Sequence, residues 1–91
     1  MLVSLEKAKL FLRVDSDEED ATITHLLETS EDLCLDIARA DITTAAEHLP
    51  IFQEAILYSV SFMFQHREDA DYDSLLKMLR LLLFSVRKQS F

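Results

Sequence analysis

The sequence predicts an all-α fold, a compact bundle of about four helices in a single domain that spans residues 1–91. Two observations carry this prediction. The chain has no glycine, no asparagine and one proline, so it lacks the residues that most readily form the tight turns of β-hairpins. Apolar residues make up 49% of the chain, and in four segments they recur at helical spacing.

The first predicted helix spans residues 4–12. Ser4 is a favourable N-cap because its hydroxyl can accept a hydrogen bond from a backbone N–H of the first turn. Leu5, Ala8 and Leu12 then recur at helical spacing on one side. We expect that side to pack against the rest of the domain.

The second predicted helix spans residues 17–39. Ser16 and Glu19 have the spacing of a capping box, and residues 17–20 are all acidic, which the helix macrodipole favours at an N-terminus. Apolar side chains follow at helical spacing from Ile23 to Ile37. Cys34 lies on this apolar side, which predicts a small core residue.

The third and fourth predicted helices span residues 50–65 and 74–88, after a long connection at 40–48 and a polar linker at 66–73. Pro50 fits the first turn of a helix, where its missing N–H costs no hydrogen bond. Asp73 or Ser74 is expected to cap the fourth helix. Both helices are apolar around most of their circumference, which leaves two interpretations open: a central buried helix, or an exposed patch that contacts a neighbouring copy.

Charge is distributed unevenly along the chain, whose net charge is −8. Residues 15–38 contain nine acids and no lysine or arginine, whereas residues 74–91 contain four bases and no acid. The acidic balance argues against tight binding to nucleic acid, which depends on clustered bases. The bases near the C-terminus are either an ordinary polar strip or a surface that meets the acidic second helix of another copy. The candidate subunit or partner interface comprises Asp15, Asp17, Glu18, Asp20, Glu28, Asp32, Arg67, Lys77, Arg80, Arg87 and Lys88.

No pattern in the sequence predicts an enzyme, a cofactor or a metal site. The run that begins at Asp15 starts like a calcium loop, but its sixth and twelfth positions hold Asp20 and Leu26 in place of glycine and glutamate. The three histidines lie in different segments, without metal-ligand spacing. An acidic neighbourhood also disfavours a thiolate at Cys34. One cysteine, no secretory signal and no apolar run of about 20 residues predict a soluble, cytoplasmic protein without a membrane span.

The order of these segments resembles the head–tail connector proteins of long-tailed bacteriophages, also described as DNA-packaging or head-completion proteins. The most specific part is residues 3–15 (VSLEKAKLFLRVD), followed by the acidic run 15–20 and by Ile23, Leu26 and Leu27. The helix that opens at residues 49–50 and ends near 66–68 (HRE), and the apolar last helix, continue the likeness.

This resemblance implies a structural subunit that forms a ring under the phage portal, extends the DNA channel, and docks stopper or tail-completion proteins. It also implies that DNA passes through the ring without sequence-specific binding, and that the protein moves from host cytoplasm to the virion head–tail junction. Acids facing the channel would repel phosphate and ease passage. The alternative is a small acidic regulator or DNA mimic that binds a basic protein partner.

Overall fold

Residues 1–68 and 71–86 are described in the computed structural model of the chain, and they contain no β-strand. The all-α prediction is therefore confirmed for these residues. The helices are α1 (Leu5–Leu12), α2 (Asp20–Ala38), α3 (Ile42–Glu47), α4 (Leu49–Gln65) and α5 (Tyr72–Leu83), and a 3₁₀ turn follows at Phe84–Val86.

The two longest helices, α2 and α4, form a central antiparallel pair. At their midpoints the buried hydroxyl of Ser30 donates a hydrogen bond of 2.8 Å to the hydroxyl of Ser59. At one end Arg67, just after α4, lies 3.3 Å from the carboxylate of Glu19, just before α2. The end of α4 therefore lies beside the beginning of α2.

The two outer helices, α1 and α5, pack on this central pair in opposite directions. The backbone N–H of Leu2 donates to Glu31 in the middle of α2, and Lys9 lies 2.8 Å from Asp20 at its start, so α1 runs antiparallel to α2. Arg80, late in α5, lines one shallow groove with Asp36, late in α2. Tyr72 opens α5 soon after Arg67, which pairs with Glu19 at the start of α2, so helix α5 runs in the same direction as α2.

Helix α4 is the central helix of the bundle and accounts for much of the apolar excess seen in the sequence. It packs against all four other helices and buries Phe52, Ile56 and Val60 completely or nearly so. The last helix differs, because α5 buries Leu75, Leu79 and Leu83 on one side and leaves apolar side chains exposed on the other. The central-helix interpretation thus describes α4, and the exposed apolar patch lies on α5.

The predicted connection at residues 40–48 is wrong, because most of it folds into helix α3. The carboxylate of Asp41 accepts a hydrogen bond of 2.8 Å from the backbone N–H of Thr44 and caps the helix. Ala45 is fully buried and anchors α3 on the core. Six residues are too few to show a helical repeat, so only the cap could have indicated this helix.

The capping box predicted from Ser16 and Glu19 is also wrong. Helix α2 begins at Asp20, and Glu19 occupies the N-cap position without a side-chain capping bond. The nearby acids have other partners, since Asp17 pairs with Lys9 and Glu19 pairs with Arg67. Ion pairs across the fold have replaced the local cap.

Other boundaries agree more closely with the prediction. Ser4 caps α1 by accepting a hydrogen bond from the backbone N–H of Lys7, and Pro50 lies in the first turn of α4. The cap of α5 is Asp71 rather than Asp73 or Ser74, and the helix ends at Leu83 before the 3₁₀ turn. The last two residues of the predicted 74–88 helix lie outside the described part of the chain.

Two arginines close helices where glycine is usual. Arg13 after α1 and Arg39 after α2 adopt left-handed backbone conformations, with φ of 59° and 53°. The next residue donates its N–H back to the helix in each case, at 2.9 Å from Val14 to Lys9 and 3.0 Å from Ala40 to Leu35. This is a Schellman-type ending, and a side chain larger than glycine makes it cost about 1 kcal/mol.

Candidate interaction site

The predicted interface residues lie in separate regions of the surface. One region surrounds the start of α2, where Lys9 of α1 lies 3.0 Å from Asp17 and 2.8 Å from Asp20. Hydrogen bonding to Asp20, and then to Asp17, raises the pKa of Lys9 above its ordinary value. Asp20 therefore links α1 to the start of α2, Asp17 pairs with Lys9 from the loop before α2, and Asp15 and Glu18 extend into solvent beside them.

A second acidic region follows the outer side of α2. Glu28, Asp32 and Asp36 are exposed at intervals of four residues, so their carboxylates line up along the helix. We call these three residues the acidic ridge. None of them forms an ion pair with another residue in 1–68 or 71–86. The ridge is thus a continuous line of negative charge facing solvent.

The basic candidates in the described chain are Lys77 and Arg80 on α5, and Arg67. Lys77 and Arg80 are exposed and lie one turn apart, with Arg80 beside Asp36 and Arg39 at the end of α2. Arg87 and Lys88 lie outside the described residues.

Arg67, just after α4, has several partners within the fold. Its side chain contacts Glu19 and donates a hydrogen bond of 3.1 Å to the carbonyl oxygen of Phe64. Its guanidinium carbon also lies 4.3 Å from the centroid of the Phe64 ring. The structure thus gives Arg67 a role within the fold.

Five of the eight large apolar side chains that are exposed among the described residues form two patches, which the sequence only partly indicated. On α1, Leu10 and Phe11 are 80% and 48% exposed. On α5 and the turn after it, Leu81 and Phe84 are 71% and 76% exposed, with Met78 at 38%. The high apolar content of the last helix indicated the second patch. The first was detectable, because Leu10 and Phe11 lie off the side formed by Leu5, Ala8 and Leu12.

The cysteine and the metal-ligating side chain types of the described residues were the remaining candidates for chemistry. Cys34 is fully buried, and burial, reinforced by the charge of Glu31, raises the pKa of its thiol to about 12. A thiol of this kind stays protonated and unreactive. No group of three or more His, Cys, Asp or Glu side chains in the described parts of the chain is placed to hold a metal ion.

No family model, curated protein or solved structure matches this chain. Its function is therefore inferred from its own surface and from the resemblance that residues 3–15 carry. Of the described helices, none combines the length and the apolar character needed to cross a membrane. The features that stand out are the two exposed apolar patches and the separation of acidic from basic side chains.

Proposed function

We propose that this chain is a structural connector subunit of a bacteriophage head–tail junction. Copies of it assemble into a ring under the portal protein, which extends the channel for DNA and offers a docking surface to stopper or tail-completion proteins. The proposal rests on the resemblance described above, together with the surface of the folded subunit. It requires no catalysis, cofactor or metal.

The observation that carries the proposal is the exposure of large apolar side chains on so small a domain. Leu10, Leu81 and Phe84 are each more than two-thirds exposed, at 80%, 71% and 76%. Single exposed apolar residues are ordinary, but two separate clusters on a 91-residue chain favour contacts with other protein surfaces. These side chains lie outside the core of the isolated domain. Burying them between subunits would therefore stabilise an assembly.

The charge of the subunit suits a channel through which DNA moves. A net charge of −8 gives DNA little to bind, and the acidic ridge of Glu28, Asp32 and Asp36 offers an exposed negative surface that forms no ion pair within residues 1–68 and 71–86. Carboxylates facing the channel would repel phosphate and prevent adhesion. We expect no retardation of duplex DNA by the assembled protein in a gel-shift assay at physiological salt.

The direct test is the size and shape of the particles that the purified protein forms. Light scattering after size-exclusion chromatography, over a wide concentration range, is expected to show a discrete large species. Electron microscopy of that species is expected to show closed rings with a central hole. Monomers or dimers alone, at every concentration, would contradict the proposal.

The second candidate function is that of a small acidic regulator, and the acidic ridge favours it. Three carboxylates at intervals of four residues present a regular line of charge to a basic protein partner. In that case the protein remains monomeric or dimeric, and neutralising the ridge with Asp32→Asn and Asp36→Asn abolishes binding to the partner. In the connector, the same substitutions leave ring formation intact if the ridge faces the channel.

A further inference from the structure

The two exposed apolar patches lie near opposite ends of helix α2. Leu10 and Phe11 follow Lys9, which pairs with Asp20 at the start of α2. Leu81 and Phe84 follow Arg80, which lies beside Asp36 near the end of α2. Sixteen residues of helix, about 24 Å at 1.5 Å per residue, separate Asp20 from Asp36. The molecule extends over 45 × 27 × 16 Å, so the two patches are well separated on its surface.

The charges around the two patches are opposite. Residues 6–20, which surround Leu10 and Phe11, contain six acids and three bases, and Asp15 and Glu18 are exposed there. Residues 74–86, which carry Leu81 and Phe84, contain Lys77, Arg80 and no acid. We name the first the acidic patch (Leu10, Phe11, Asp15, Glu18) and the second the basic patch (Lys77, Arg80, Leu81, Phe84). Each combines an apolar pair with two exposed charges of the same sign, and residues 6–20 have a negative balance of charge although Arg13 is also exposed there.

The geometry points to a head-to-tail contact in which the basic patch of one copy covers the acidic patch of the next. This inference rests on the proposed function, since it specifies how the ring closes. Leu81 and Phe84 would bury against Leu10 and Phe11, while Lys77 and Arg80 would face Asp15 and Glu18. A contact between two copies of the same patch would bring charges of the same sign together, which opposes a two-fold symmetric contact. A contact between unlike surfaces can repeat from each copy to the next. It yields a closed ring when the rotations between successive copies add up to a full turn.

The inference is tested by blocking each patch separately. One variant carries Leu10→Glu and Phe11→Glu, and the other carries Leu81→Glu and Phe84→Glu. These positions are exposed or half-exposed, so both variants are expected to fold, which circular dichroism and thermal melting check. Thr29→Glu, at an exposed position midway along α2, is the control for added charge and should assemble like the wild-type chain.

Each blocked variant alone is expected to remain monomeric, with subunit affinity reduced at least about a hundredfold by the loss of two apolar side chains from the contact. An equimolar mixture should form a dimer and stop there. In that dimer the intact basic patch of the first variant covers the intact acidic patch of the second. The unused ends carry added glutamates and repel each other, so growth beyond two subunits is not expected.

The outcomes separate this inference from the proposed function. If the wild-type chain forms rings and both blocked variants do as well, the two patches are not the contact and only the inference fails. Self-association of the Leu10→Glu, Phe11→Glu variant alone would show a like-to-like contact and also overturn it. If the wild-type chain assembles but the mixture of the two blocked variants stays monomeric, the inference is also overturned. If the wild-type chain never associates, the proposed function itself fails.

Discussion

The buried hydrogen bond between Ser30 and Ser59 provides a sharp test of the central helix pair. Both side chains are fully inaccessible to solvent, and their hydroxyl oxygens lie 2.8 Å apart where α2 crosses α4. They are the only buried polar side chains among the described residues, and apolar core residues adjoin them on both helices. Each hydroxyl therefore depends on the other for a partner across the helix interface.

Replacing one serine with alanine is expected to lower the free energy of unfolding by about 1–2 kcal/mol. The substitution removes the hydrogen bond and leaves the other hydroxyl buried without its partner. For a domain of this size, each 1 kcal/mol corresponds to a melting temperature lower by about 4–8 °C. Replacing both serines removes the unsatisfied group as well. The double variant should therefore lose about 1 kcal/mol less than the two single losses combined.

The assay is urea unfolding of the wild-type chain, Ser30→Ala, Ser59→Ala and the double variant, followed by circular dichroism. Thr29→Ala, next to Ser30 but exposed, is the matched control and should change stability by no more than about 0.5 kcal/mol. Two single losses that simply add in the double variant would refute the reasoning. So would single variants as stable as the wild-type chain.

Four further predictions concern the core, a thiol, a cap and a helix end. Phe52→Ala should cost about 3–5 kcal/mol, because Phe52 is the largest fully buried side chain among residues 1–68 and 71–86; calorimetry measures the loss. Cys34 should react with a thiol reagent only after unfolding in urea, and stability should fall as pH rises from 9.0 towards about 12, since the unfolded thiol loses its proton first. Bonds from Ser74 lower the pKa of Asp71 below 3.8, so its stabilising effect, present above pH 3.8, should disappear as pH falls through the lowered pKa; comparison with Asp71→Asn across this range shows whether it does. Arg13→Gly should raise the melting temperature by a few degrees, because glycine adopts φ near 59° without strain.

The helices that could be predicted from the sequence are those with a local signal. Ser4 is followed by an apolar repeat, and Pro50 opens a long apolar segment, so α1 and α4 were predicted to within a residue at each end. The buried positions of α2, including Cys34, follow the helical spacing of its apolar residues. In these helices local propensity and tertiary packing favour the same structure.

The features that were missed depend on contacts between distant segments. The capping box failed because Lys9 on α1 and Arg67 after α4, which both lie outside α2, pair with the acids around residue 16. Helix α3 was missed because Asp41 and the buried Ala45 are its main signals. Likewise, composition showed that the last helices were unusually apolar, but only packing revealed that α4 is central and that α5 exposes Leu81.

The exposure of the candidate charged side chains could be expected from the sequence, but their arrangement on the surface could not. The separation of acids from bases along the chain indicated two unlike surfaces, and Lys77 and Arg80 are indeed exposed. Sequence spacing gave no indication that Arg67 stacks on Phe64 and contacts Glu19. Nor did it place Leu10 at the opposite end of α2 from Phe84, because that position follows from the packing direction of α1 and α5.

The measurement that tests the central claim most directly is the mass of the assembled wild-type protein by native mass spectrometry. A connector subunit predicts one closed species whose mass is a fixed multiple, well above two, of the 10.5 kDa chain. The same multiple should appear at every concentration where assembly occurs, because a closed ring has no free ends to extend. A spectrum that contains only monomers and dimers, or an open series of masses without a dominant species, would contradict the account.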